Sequence, residues 1–246
     1  MRSSLGGANA AGSGTGVRTV IIAVDKHDDY VSIGAPAYSA GFFFSDLREN
    51  AILIEDSDQA SGIQVILHEY AHFLNKQSGR IRYPRWYEEG NAEYLSHSRL
   101  QAQAYEFALP PEKHLPALSI TPWLPLRQNN EVTHESALDE TQRAQFYGQA
   151  WLLVHYLRSL PGSDGAIPGM LQEYARLVSA GTLLAPAFEQ SFGLQIDVLE
   201  DTLLKYFLER DFASRRVPAN TALPGFVTRS RTLSEAEAQL ALAQMA

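Results

Sequence analysis

Two histidines four residues apart, His68 and His72, with Glu69 directly after the first, form the most chemically suggestive pattern in the chain. On a helix this spacing sets the imidazoles about 40° apart around the axis and about 6 Å apart along it, so both can reach one metal ion. Glu69 is turned by about 100° from His68. That places it beside the metal rather than on it, where a carboxylate can take a proton from a metal-activated water. The chain has no cysteine, so a transition metal must be held by imidazole and carboxylate. Zinc is the default ion for such a set, one per chain.

A catalytic zinc needs a third protein ligand and an open position. The segment Pro84-Arg85-Trp86-Tyr87-Glu88-Glu89-Gly90-Asn91-Ala92-Glu93-Tyr94 follows after a short connection and reads as a second helix. A helix there brings a carboxylate back alongside the histidines. Glu89 and Glu93 are four apart and share a face, so one can ligate while the other supports a ligating histidine from behind.

The His-Glu-Tyr-Ala-His pattern followed by this segment resembles the gluzincin branch of zinc peptidases. In that branch the paired histidines are followed by a glutamate from a second helix. The local pattern Pro-x-Trp-x-x-Glu-Gly-x-Ala-Glu-Tyr is similar to the peptidase-MA-like bacterial proteins, and to the Asn-Glu-Gly-Phe-Ala segment of zinc aminopeptidases. The resemblance implies that Glu89, just before Gly90, is the third ligand and that Glu93 is an acidic residue behind the ligands. It also implies a zincin-like fold and hydrolysis of peptide bonds. Sixteen residues separate His72 from Glu89, fewer than in the aminopeptidases, so aminopeptidase specificity does not carry over. The likeness is strongest over residues 64 to 95.

It extends weakly to Phe146-Tyr147-Gly148-Gln149-Ala150-Trp151. Gluzincins usually stabilise the tetrahedral oxyanion with a Tyr or His opposite the metal, and Tyr147 is the candidate for that role here. The resembling families also place a sheet-edge strand beside the cleft. The strand expected at Gly41 to Ser45 could accept an extended peptide by backbone pairing. Alternation sets Phe42 and Phe44 on one of its faces and Phe43 on the other. His155 and His97 read as packing or satisfied residues, and His27, His114 and His134 sit in polar stretches without a motif.

The elements that must position these residues are legible by period and punctuation. Residues 17–24, 41–45 and 51–55 read as strands, and Asp25 to Asp29 as a polar turn. Ile63, Ile66, Leu67, Tyr70, Ala71 and Leu74 then fall at helical spacing, with Ser61 as the expected N-cap and Gly79 as the expected C-cap. Pro84 suits the first turn of the second helix. Residues 109–135, rich in proline and polar side chains, read as a long loop folded over the surface. Further helices are expected at about 142–159, 166–180, 183–192 and 196–210, with a short candidate at 233–245.

Strands first and helices afterwards predict an α+β architecture, a small N-terminal β-sheet packed on a mainly helical domain, and the resemblance implies that this domain is a zincin-like metallopeptidase. The expected divisions are a flexible leader over 1–16, a β-sheet subdomain over 17–60, a helical subdomain with the zinc site over 61–210, and a tail or the start of a further segment over 211–246. The leader also reads as a linker or as the cut edge of a longer protein.

Composition limits the partners. Across 246 residues, 45% hydrophobic and 20% charged is ordinary for a globular protein. The net charge of −8 argues against nucleic acid as the main partner. No apolar run is long enough for an integral membrane segment, and the N-terminus lacks the apolar stretch of a signal peptide. A peptide or protein is the expected substrate, while compartment and oligomeric state stay open. The alternative is a catalytically inactive peptide- or protein-binding module on a metallopeptidase fold, and a scaffold role is a further one. A serine-hydrolase reading is weak because the Gly-x-Ser-x-Gly elbow is absent.

Overall fold

The computed structural model describes residues 5–8, 18–24, 26–32, 35–45, 49–55, 59–77, 83–101, 103–120, 122–134, 137–218 and 232–234. Among them the architecture is mixed α+β, with nine helices and two small sheets. The chain divides into two compact units, Met1–Phe73 with Ala219–Ala246, and Leu74–Pro218.

The first unit is built on a four-stranded sheet in the order β1-β2-β4-β3. Its strands are β1 (Leu5–Ala8), β2 (Arg18–Val24), β3 (Gly41–Ser45) and β4 (Glu49–Glu55). β2 and β4 run parallel, with Ile22 opposite Leu53, and the outer pairs are antiparallel. Strand β1 falls in the stretch expected as a leader. β2 and β4 are apolar at consecutive positions because both faces of the sheet are covered. On one face Val20, Ile22, Val24 and Leu53 pack with Tyr30 of α1 (His27–Ser32). On the other, Ala23, Phe43, Ile52 and Ile54 pack with Val65, Ile66 and Phe73 of α2 (Gln59–Gln77). Helix α1 stands where a polar turn was expected. Its residues are polar at the start, with Asp28 and Asp29 in the first turn, where acids favour a helix, and Tyr30 then anchors it. Helix α2 begins two residues before Ser61, and Gly79 lies outside the described residues.

The second unit is organised around α6 (Glu140–Ser159), which a capping box of Asp139 and Gln142 starts. Phe146, Ala150, Trp151, Leu152 and Val154 are all fully buried, so α6 is enclosed on every side rather than amphipathic. Against it and around it lie α3 (Arg85–Ser96), α7 (Ser163–Ser179), α8 (Leu184–Phe192) and α9 (Ile196–Glu209). Helices α6 to α9 each start within three residues of the position expected from the sequence.

Two features of this unit differ from the sequence expectation. The stretch 109–135 is not a surface loop. It contains α4 (Leu115–Leu118) and α5 (Leu126–Glu131), and it buries Leu118, Trp123, Leu124 and Leu126. Three of its carbonyls accept from α6. Gln145 Nε2 donates to the carbonyls of Ile120 and Pro122, both at 3.1 Å, and Gln149 Nε2 donates to that of Leu124 at 2.7 Å. Burying such a segment is tolerable only because these donors are supplied.

The second difference is a three-stranded sheet in the order β5-β6-β7, formed by β5 (Arg99–Gln101), β6 (Ala104–Phe107) and β7 (Arg215–Pro218). β6 and β7 pair antiparallel across a long separation in sequence, with Phe107 opposite Arg215. Glu106 ties the sheet together, accepting from Arg99 Nε at 2.7 Å and Ser214 Oγ at 2.6 Å. Of the candidate helix at 233–245, residues 235–245 lie outside the described residues.

Candidate metal centre

His68, His72 and Glu89 come together. One ligand atom from each lies within 4.8 Å of the others, with both histidines half-buried and Glu89 buried. No other group of three such side chains meets that spacing among the described residues. The two Nε2 atoms of His68 and His72 are 3.2 Å apart. Two zinc–nitrogen bonds meeting at the tetrahedral angle span about 3.3 Å. The helix therefore presents the imidazoles at the separation a single ion requires. Two imidazoles and one carboxylate, with no thiolate, are a donor set able to hold a divalent ion such as zinc. The residues present fit the ion.

Helix α3 carries Glu89 under tight constraint. Pro84 caps the helix in an extended conformation, consistent with its expected place at the start. One turn on, Gly90 meets α6 so closely that an added Cβ would overlap the Ala150 carbonyl. The glycine is there for close approach. Arg85 reaches both neighbouring acids, with Nη2 2.7 Å from Glu89 Oε1 and Nη1 3.3 Å from Glu88 Oε2. Burial holds the Glu88 carboxyl above the ordinary carboxylate range, and Arg85 offsets part of that rise. With Arg85 on one oxygen of Glu89, the other can serve a metal.

Glu69 is nearly buried, at 8% exposure, and strand β3 lies directly against it. A Cβ added at Gly41 would overlap Val65 and come within 3.0 Å of Glu69 Cγ and Oε1. Ser39 holds that strand start, because its hydroxyl is hydrogen-bonded to the Gly41 carbonyl and accepts from the Gly41 amide. Burial pushes the Tyr30 hydroxyl, which donates to Ser39 Oγ at 3.4 Å, up to about 12, and the Glu69 charge adds to the rise.

Glu93 stands one turn beyond Glu89 and is buried. Its Oε2 lies 3.4 Å from His97 Nδ1 and its Oε1 3.7 Å from His114 Nε2. Tyr147 is half-buried and stacks on the His114 ring, with centroids 5.3 Å apart and planes 18° from parallel. His114 is thus the side chain that joins two residues nominated from sequence, although its own surroundings carry no motif. The remaining histidines fall elsewhere. His27 meets Glu55 at 3.0 Å and His134 is exposed.

His155 is enclosed by Tyr94, Trp151, Tyr206 and Phe212. Burial lowers its pKa from 6.5 to about 4. Below pH 6.5 the unfolded chain takes up this proton before the folded one does, so the histidine costs stability as pH falls from 6.5 towards 4. The penalty reaches on the order of 3 kcal/mol. Urea midpoints at pH 7 and pH 4.5 should show this slope in the wild type and a flatter one in His155→Phe. Equal slopes would mean that His155 is charged in the folded state.

Comparison of the chain with models of protein families, with curated proteins and with solved structures gives no match. Among the described residues no helix is long and apolar enough to cross a membrane.

Sequence reasoning missed Arg85, His114 and Asn75, whose Oδ1 accepts from Asn91 Nδ2 at 3.2 Å. Arg85 sits four residues before Glu89 and Asn75 seven after His68, both on helical spacings that bring side chains to one face. Those two were findable by extending the stripes. His114 was not, since only the chain path through 109–125 brings it to Glu93 and Tyr147.

Proposed function

We propose that the chain is a zinc-dependent peptidase of the gluzincin type, hydrolysing peptide bonds in a peptide or protein substrate. The observation that carries this reading is the convergence of His68, His72 and Glu89 within ligand range, with the nearly buried Glu69 carboxylate on the same helix. His68, His72 and Glu89 would hold the ion. A divalent ion so held acidifies water and polarises a carbonyl. Glu69 accepts the proton of the attacking water and delivers it to the leaving amine, which breaks the carbon–nitrogen bond without an external acid. Tyr147 is the proposed donor to the oxyanion.

The placement of β3 supports a peptide as substrate. It is the terminal strand of its sheet, Phe42 on it is exposed, and its first residue abuts Glu69. A peptide extended along that strand gains backbone hydrogen bonds beside the proposed base.

Elemental analysis of protein purified without added metal tests the centre. Wild type should carry about one zinc per chain and His72→Ala none, since two protein ligands do not retain the ion. A wild type that neither contains zinc nor takes it up on titration would sink the proposal.

A further inference from the structure

Three polar side chains behind the centre form a continuous hydrogen-bonded chain that the proposed chemistry does not use. Asn91 Nδ2 donates to Asn75 Oδ1 at 3.2 Å, and Asn91 Oδ1 accepts from Arg158 Nη2 at 2.9 Å. The same guanidinium nitrogen lies 3.3 Å from the Tyr87 hydroxyl and donates to it. Arg158 also sits over the Tyr94 ring, 5.1 Å from its centroid. Asn91 is buried, at 5% exposure, and uses both ends of its amide in this chain.

The places these residues occupy matter more than the bonds themselves. Asn75 lies seven residues after His68 and three after His72 on α2. By helical geometry it falls about 20° from His68 around the axis, on the stripe that carries the histidines. Asn91 lies two residues after Glu89 on α3, and Arg158 is anchored on α6. The Asn75–Asn91 bond therefore ties the turn after the second histidine to the turn that carries the carboxylate. Arg158 fixes Asn91 from the opposite side, and Ser163 and Arg215 both donate to the Arg158 backbone carbonyl. A buried asparagine held at both ends cannot rotate to accommodate a shift of either helix.

We propose that Asn91 is a positioning residue for the metal centre: through Asn75 it sets the register of the histidine helix against the glutamate helix, and so the affinity for the ion. This rests on the zinc reading given above. Asn91 touches neither ion nor substrate, and a purely structural role would lower stability while leaving zinc affinity alone. The two roles separate experimentally.

The experiment measures the zinc dissociation constant by competition with a chromogenic chelator, and the apo-protein thermal midpoint, for wild type, Asn91→Ala, Asn75→Ala and the double variant. Leu203→Ala, a truncation of a fully buried side chain on α9 that takes no part in these hydrogen bonds, is the control for stability alone. Each asparagine variant should bind zinc about tenfold more weakly, as loss of a supporting residue behind a metal site does. The double variant should bind no more weakly than either single one, because the two share one interaction. Leu203→Ala should lose thermal stability and keep its zinc affinity. Should Asn91→Ala fail to fold, Asn75→Ala, at a half-buried position, decides between the two roles. Unchanged zinc affinity in the asparagine variants, with wild type binding one ion, overturns the positioning role and leaves the centre standing. A wild type that binds no zinc overturns both.

Discussion

Replacement of Glu69 by glutamine should leave zinc content at the wild-type level and reduce peptide hydrolysis by about 10³-fold, within the range for loss of a general base. That corresponds to about 4 kcal/mol of barrier. Glutamine keeps the size of the side chain, so the contact with Gly41 survives and the backbone of β3 has no cause to move. It cannot accept a proton at neutral pH. Glu69 is not in the ligand group, so the ion should remain. Cleavage of denatured casein and of quenched peptide libraries, measured beside elemental zinc, reads both quantities. A variant as active as wild type removes Glu69 from the mechanism. A variant that loses its zinc makes Glu69 a ligand instead.

The second large effect should come from a single methyl group. Gly90→Ala ought to stabilise an ordinary helix by roughly 0.5–1 kcal/mol, because alanine has the better propensity. Here the sign should reverse. The added Cβ overlaps the Ala150 carbonyl and comes within 2.8 Å of Val154 Cγ2. The obstacle is backbone in the most enclosed helix of the unit, which cannot rotate away as a surface side chain would. Overpacking of this kind costs up to about 3 kcal/mol, and the thermal midpoint should fall by roughly 10 °C. The same push drives α3 off α6 immediately beside Glu89, so zinc affinity should fall with stability. An unchanged or raised midpoint would mean that the two helices can separate freely at this crossing.

The contrast between what the sequence disclosed and what it hid follows interaction range. The histidine helix, the carboxylate helix and α6 were legible because each carries a signal that repeats or acts within about four residues: His68 with His72, Pro84 ahead of Arg85, and the apolar period over 142–159. The third candidate ligand was legible because Glu89 precedes Gly90 in a local pattern that resembles the gluzincins. What stayed hidden depends on partners far along the chain. The proline-rich stretch looked like a surface loop because the donors that let it bury Trp123 and Leu124 are Gln145 and Gln149, one α-helix later. The second sheet was invisible because its strands are three or four residues long and carry Arg99, Glu106, Arg215 and Arg216, charges that argue against a strand until their pairing is known. His114 belongs to the same class.

The β6–β7 pairing has a consequence for how the chain is made. Phe107 leaves the ribosome roughly a hundred residues ahead of its partner Arg215. At ordinary elongation rates β6 then waits roughly 5–20 s before its neighbour exists. Throughout that interval β6 is a sheet edge, with Tyr105 exposed beside unpaired backbone groups, the kind of template on which nascent chains aggregate. Glu106, paired with Arg99 of the neighbouring β5, puts a charged residue on this waiting strand, and charge there is a recognised means of discouraging a stranger's strand. The last strand of the unit is thus a latch that closes only after every helix between Leu115 and Glu209 has been synthesised.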